Sequence, residues 1–171
     1  MKKDFFDYML ILMRGNPDIY LIFAGLGWPR LEEFQKEFPD RAFNVEASKQ
    51  TALDISVGLA YSGKIPFVYT ITPFLLRGFE TIRTYIDHEK LNVKLVGAGR
   101  DDDYAKHDGF SHDASDIGRI FDTLPNLFQY YPDSIEQMKE YLEMMVKLDK
   151  PQFISIPKQE DYARNNTKDT Q

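Results

Sequence analysis

Residues 44–71 place the tightest constraint on how this chain can fold. Asn44-Val-Glu-Ala-Ser-Lys-Gln-Thr-Ala-Leu-Asp-Ile-Ser-Val-Gly-Leu-Ala-Tyr-Ser-Gly63 runs straight into Lys-Ile-Pro-Phe-Val-Tyr69. Ala52, Ile55, Ser56 and Leu59 recur at spacings of three and four, which gives a helix one inward face. Ser48 predicts the cap at its start, and Gly63 stands where such a helix stops. Ile65 to Ile71 is a nearly unbroken apolar run, the pattern of a strand covered on both faces. The order strand end, helix, turn, strand is a βαβ unit, the crossover that parallel strands require.

The rest of the chain repeats that alternation. Phe5, Phe6, Met9, Leu10 and Met13 have a helical period, with Asp4 near the start and Arg14 near the end to suit the helix dipole. Gly15-Asn-Pro17 breaks the pattern before a short apolar strand, Ile19 to Phe23. Gly25-Leu-Gly-Trp-Pro29 reads as a loop, Leu31, Phe34 and Phe38 as a helix face, and Ala42 to Val45 as a strand. Thr72 followed by Pro73 predicts a capped helix running to about Asp87. Val93 to Val96 is a further apolar strand, and residues 97–113 read as one long loop. A short helix over 116–121, a strand over 126–130, a helix opened by a capping box at Asp133-Ser-Ile-Glu136 and a strand over 152–156 complete the series. Residues 1–159 read as a single domain, and 160–171 as a polar, frayed tail. The fold class is therefore α/β, a three-layer α/β/α sandwich around a mostly parallel sheet.

In such a sheet, ligands bind beyond the carboxyl ends of the strands, near the switch in strand order. Four segments fall there: Gly25 to Trp28, Glu46 to Gln50, Thr70 to Phe74 and Gly97 to His112. Composition limits what they can do. With no cysteine in 171 residues, disulfides, thiolate metal sites and cysteine nucleophiles are excluded. A net charge of −6 argues against non-specific nucleic-acid binding. No apolar run reaches the roughly 20 residues of a membrane span, Asp4 and Asp7 interrupt the first apolar stretch, and cytoplasmic residence is the expectation. The three histidines are dispersed and make no metal motif, so no metal site is expected in the chain itself.

Ten positions of the opening stretch carry a resemblance: Phe43, Val45, Gln50, Ala52, Gly58, Leu59, Ala60, Gly63, Pro66 and Phe67. They resemble the pyrimidine-binding domain of the transketolase family, whose pattern there is Phe-x-Val-Gly-Ile-Ala-Glu-Gln-x-Ala, then Gly-Leu-Ala and Gly-x-x-Pro-Phe. Tyr69-Thr-Ile-Thr-Pro-Phe74-Leu-Leu-Arg77, continued by Ile82 and Arg83, is similar to the family's Ser-Thr-Phe-Leu-x-Arg. Asp108-Gly-Phe-Ser-His112 resembles Asp-Gly-x-Thr-His, and Asp116-Ile117 with Pro125-Asn126 matches the family's later Glu-Asp-Ile and Pro-Asn pattern. The likeness spans roughly residues 19 to 157 and implies the family's thiamine diphosphate-binding fold.

The resemblance also implies a site. Phe74 stacks on the aminopyrimidine of thiamine diphosphate, with Thr72 and Arg77 on the same cofactor-binding segment, and His112 serves proton handling or substrate binding. Two positions depart from the pattern: Glu46 replaces a glycine, and Lys49 replaces the glutamate that activates the cofactor. Protonated lysine has no acceptor, although burial lowers its pKa and the neutral amine accepts a proton. Glu46, three residues earlier, is placed to pair with Lys49. Catalytic roles are thus expected of Lys49, Glu46 and His112. The Gly-Asp-Gly motif with a downstream Asn, which holds diphosphate and Mg2+, is absent from the sequence. The Asp101-Asp-Asp103 run does not replace it and reads as solvated loop. The family likeness therefore implies a separately encoded diphosphate-binding subunit, in a hetero-oligomer or a homodimer joined by that partner, acting on a sugar or sugar phosphate by ketol transfer. The second reading is a catalytically silent interaction or regulatory module. Trp28, Phe74 and Phe110 are the aromatic anchors expected on the association face.

Overall fold

Each apolar run becomes a strand in the computed structural model, which describes residues 1–26 and 30–158. The strands are β1 (Ile19–Phe23), β2 (Ala42–Asn44), β3 (Ile65–Ile71), β4 (Lys94–Ala98), β5 (Phe128–Tyr130) and β6 (Gln152–Ile156). They form one sheet in the order β2-β1-β3-β4-β6-β5, with every pairing parallel. Order reverses at β1, which has β2 on one side and β3 on the other, so the carboxyl ends of β1 and β3 flank the switch point. The expected starts of β4 at Val93 and of β5 at Asn126 are one and two residues early.

Two helical layers cover the sheet. On one face lie α1 (Lys2–Gly15), α2 (Arg30–Glu37) and α7 (Ile135–Lys147), burying Phe5, Phe6, Met9, Phe34, Met138 and Leu142 against Leu21, Phe23, Tyr69 and Ile154. On the other lie α3 (Lys49–Tyr61), the helical stretch from Thr72 to Asp87, and α6 (Ile117–Phe121), packed on Ile22, Val68, Leu95 and Phe153. Side chains alternate between faces along β1, Leu21 and Phe23 facing one way and Ile22 the other, as the period of two demands. Each large side chain so buried contributes about 1.5–3 kcal/mol.

Several local expectations are corrected. Residues 72–87 are not one regular helix. A 3-10 segment (Thr72–Gly78), a single α turn, α4 (Phe79–Thr81), and a π segment (Ile82–Asp87) follow one another. Thr72 does not cap this stretch. It is buried and its hydroxyl donates to the carbonyl of Gly99, with Gly97 leaving the room it needs. Ser48 precedes α3, but its hydroxyl meets that of Thr51 at 2.5 Å and caps no backbone N–H. The capping box of α7 lies one residue later than expected: Ser134 accepts from the N–H of Gln137 at 3.1 Å, and the Gln137 side chain reaches back to the N–H of Asp133 at 2.7 Å. The long loop after β4 contains α5 (Ala105–Asp108) and a 3-10 turn (Phe110–His112). Trp28 and the tail from 160 lie outside the described residues.

Candidate functional site

The four loops expected at the carboxyl rim of the sheet follow β1, β2, β3 and β4 in turn. Lys49 opens α3 just beyond β2, and its ammonium sits 4.9 Å from the centre of the Phe74 ring. Phe74 lies in the first turn after β3. His112 comes from the loop beyond β4, and its ring meets the edge of Phe74 at a centroid distance of 4.8 Å and an interplanar angle of 65°. Ser111 Oγ lies 3.0 Å from His112 Nδ1. Lys49 and His112, from two other loops, thus converge on the half-buried ring of Phe74.

Gly25, on the β1 loop, makes the room for this group. Its φ is +74°, and a Cβ added there would stand 3.1 Å from Lys49 Nζ and 3.1 Å from the Glu46 carbonyl oxygen. A side chain at this position would press on the ammonium and make it give by a few tenths of an ångström. Burial pushes the Lys49 pKa below the ordinary lysine value, and the nearby charge of Arg77 pushes it further the same way. Arg77 is itself exposed on the 3-10 segment and makes no ion pair among the described residues.

Glu46 does not pair with Lys49. Its backbone is left-handed, with φ +53°, the conformation glycine adopts without cost. Its carboxylate turns back and accepts from Asn44 Nδ2 at 3.0 Å, and its own N–H donates to Asn44 Oδ1 at 3.0 Å. Sequence reasoning missed Asn44. An Asn two residues before a left-handed position is the available signal, because its side chain closes an Asx turn. Thr72 lies at the rim too, but buried and engaged with Gly99, not facing Lys49.

The other sequence candidates serve the loops. Asp103 accepts from the N–H groups of Arg100 and Lys158, both at 2.9 Å, and Asp102 pairs with Lys106 at 2.9 Å. His107 is exposed on α5, and His88 lies 3.8 Å from Glu89 where the π segment ends, before β4 begins. Among the described residues no cluster of three His, Asp or Glu is placed to hold a metal ion. Nor is any helix among them long and apolar enough to cross a membrane. A cleft of about 350 Å3 shares Thr72 with the rim and is lined by Arg100, Arg119, Gln129 and Tyr131, but Lys49, Phe74 and His112 do not line it. Lys49, Phe74 and His112 are each half-buried. Phe110, next to it in sequence, is 87% exposed.

An all-parallel sheet with helices on both faces, and with an aromatic, a cation and an imidazole gathered at its carboxyl rim, defines an α/β domain of the doubly wound class. The chain belongs to the transketolase family: the family model "Transketolase, pyrimidine binding domain" matches residues 12–162. It is 27% identical to a subunit of the apulose-4-phosphate transketolase of Phocaeicola vulgatus, over 91% of this chain and 50% of the relative. It is 28% identical to the 1-deoxy-D-xylulose-5-phosphate synthase of Clostridium perfringens, over 94% of this chain and 26% of that enzyme. A solved structure described as a split gene transketolase, an inactive beta4 tetramer, superposes with a TM-score of 0.81 at 27% identity, over 93% of this chain and 51% of the other. The chain therefore spans about half the length of the transketolase subunits it matches.

Proposed function

We propose that this chain supplies the pyrimidine-binding part of a split transketolase-like enzyme, which transfers a ketol unit between sugars or sugar phosphates. A separately encoded subunit would hold the diphosphate of thiamine diphosphate and its Mg2+. The observation that carries this reading is the convergence of Lys49, Phe74 and His112 at the switch point of a transketolase-family fold. The relatives described as a transketolase subunit and as a split gene transketolase support the division between chains. We place the complex in the cytoplasm, as a hetero-oligomer or a homodimer joined by the partner, with residues 1–159 as one domain and 160–171 as a tail.

The residues present fit a flat heterocycle. Phe74 offers an aromatic wall, and the Lys49 ammonium beside it offers donors to a ring nitrogen. Bound thiamine diphosphate supplies a carbon nucleophile for carbonyl addition. Around it, Phe74 orients the ring, Lys49 holds a ring nitrogen, and His112 is the imidazole available for a substrate proton. Burial, aided by the charge of Arg77, keeps the Lys49 amine less basic, and the exposed Phe110 is the anchor toward the partner. A carboxyl at position 49 would lend a proton and take it back. An ammonium can only donate, and Glu46 is turned away toward Asn44. That last observation favours a second reading, a catalytically silent module that keeps the interface and has lost the relay.

Deuterium exchange at C2 of the cofactor, followed by NMR on the complex with its partner, separates the two. For the silent module, the native complex exchanges slowly, Lys49→Glu accelerates it, and Lys49→Gln, which donates but relays nothing, does not. For the working enzyme, native exchange is already fast and Lys49→Glu slows it. Calorimetry of the isolated chain with thiamine diphosphate and Mg2+ should show weak binding or none. Submicromolar affinity would overturn the reliance on a partner.

A further inference from the structure

The cleft of about 350 Å3 beyond Thr72 takes no part in the proposed function, and its volume is that of pockets that hold small molecules. Ala114, Ile117 and Phe153 give it an apolar side. Its polar side is held in a fixed arrangement, anchored by buried Arg100. The Arg100 Nη1 donates to Asp133 at 2.9 Å and its Nη2 to the Pro132 carbonyl at 2.8 Å, while the guanidinium lies 5.6 Å from the centre of the Tyr131 ring. Gly118 lets the Tyr131 hydroxyl approach α6, since a Cβ there would stand 2.9 Å from that oxygen. The phenol donates its single proton to Gln129 Oε1 at 2.6 Å, and Gln129 Nε2 gives one of its two N–H groups to Asp122 at 2.9 Å. Still available to a ligand are the second amide N–H of Gln129, a lone pair on the Tyr131 oxygen and the guanidinium of Arg119. Arg119 follows Gly118 on α6, is exposed, and makes no hydrogen bond or ion pair among the described residues.

We propose that this cleft binds a small hydroxylated monocarboxylate, its carboxylate held by Arg119 and a neighbouring hydroxyl held between Gln129 and Tyr131. The planar guanidinium matches a carboxylate through two parallel hydrogen bonds. The ligand hydroxyl accepts from the Gln129 amide and donates to the Tyr131 oxygen, whose own proton is already engaged. Burial and the charge of Asp122 push the Tyr131 pKa up to about 12, so the phenol stays neutral beside the carboxylate. Charge selects a monoanion over a phosphate ester. Arg100, Arg119, Asp101 and Asp122 all line the cleft, so its formal charges balance. One added negative charge is answered by Arg119, whereas a dianion brings a second that the two aspartates repel. Thr72 and Ala114 join the cleft to the segments that carry Phe74 and His112. The site needs no thiamine diphosphate and is independent of the reading of the rim.

NMR titration of the full chain with D-gluconate tests it. Sorbitol keeps the hydroxyls without the carboxylate, and inorganic phosphate above neutral pH supplies a dianion. We expect gluconate to bind, sorbitol not to bind, and phosphate to bind more weakly than gluconate. Bound gluconate should slow amide exchange over residues 114–119 and 129–131. Arg119→Ala should weaken gluconate about tenfold, and Arg119→Lys, which keeps the charge and loses the fork, should fall between. Gly118→Ala leaves Arg119 in place but presses on the Tyr131 hydroxyl, and should weaken gluconate as well. Arg119 is exposed, so its substitution leaves the fold intact, which thermal unfolding verifies. Failure of gluconate to bind at millimolar concentration overturns the proposal. So do equal binding of sorbitol, tighter binding of phosphate, protection confined to other segments, and gluconate affinity unchanged by Arg119→Ala. Neither thiamine diphosphate nor the partner subunit enters the assay, so each of these results leaves the reading of Lys49, Phe74 and His112 standing.

Discussion

Glu46 is held by Asn44 and not by Lys49. The two side-chain contacts, each 3.0 Å, fix a left-handed turn at φ +53° between β2 and α3. A residue with a Cβ carries about 1–2 kcal/mol of strain in that conformation. Glu46→Gly removes the strain, whereas Glu46→Ala keeps it, and both lose the exposed carboxylate contact. Urea unfolding should find the glycine variant more stable than the alanine variant by about 1 kcal/mol. Equal stabilities would mean that the turn relaxes.

Two other glycines should respond in opposite senses to alanine. Gly58 sits inside α3 with nothing within 4 Å of an added Cβ, so Gly58→Ala should stabilise by roughly 0.5–1 kcal/mol. At Gly97 the added Cβ would press on the Thr72 side chain and lie 2.9 Å from Phe153 Cε2. Gly97→Ala should destabilise by about 1–3 kcal/mol. It should also loosen the start of the 3-10 segment, read as faster amide exchange over residues 72–78.

Lys94 gives the fold a pH dependence. It is fully buried in β4, and its ammonium donates to the carbonyls of Leu148 and Lys150, both at 2.8 Å, and to Gln152 Oε1. Three acceptors match three donors, yet burial pushes the pKa down to about 7, with Asp149 opposing weakly. The unfolded lysine titrates near 10.4. Between those values the unfolded chain binds more protons than the folded one, so stability rises with pH, starting near 7. Burial of Tyr69 and Tyr131 raises their pKa values, that of Tyr131 to about 12, so stability falls again once unfolded tyrosines ionise near 10. Chemical denaturation from about pH 7 to 9.5 should show the rise, and Lys94→Met should flatten it.

The layers of the fold were legible because burial there follows local pattern. Ile19 to Phe23 and Gln152 to Ile156 are apolar runs bounded by breakers, and both became strands with those bounds. Lys94 shows where pattern fails: a charge inside an apolar run is explained only by acceptors contributed more than fifty residues away. Thr72 looked like a cap because threonine before proline usually is one. Its rotamer is instead decided across the sheet, where Gly97 has no side chain. At the rim, the resemblance singled out Lys49, Phe74 and His112, and the structure brings those three side chains together. The direction of the Glu46 carboxylate was not legible, since Lys49 and Asn44 compete for it at nearly equal chain separation. α5 and the turn at 110–112 are too short to leave a periodic signal.

The change of helical pitch between Thr72 and Asp87 has a mechanical consequence. Hydrogen bonding widens along this stretch from a 3-10 to an α to a π pattern, so it works as a vernier between the two rims of the sheet. At one end it sets Phe74 against Lys49 and His112. At the other, buried Asp87 accepts the N–H of Asn126 at 2.8 Å and pins the approach to β5. Removing one residue from 82–87 would let the π turn tighten to an α turn at little cost in backbone bonding. The tightened turn would absorb most of the lost residue, and the remaining displacement would fall on the Asp87 anchor at that end, not on the Phe74 ring.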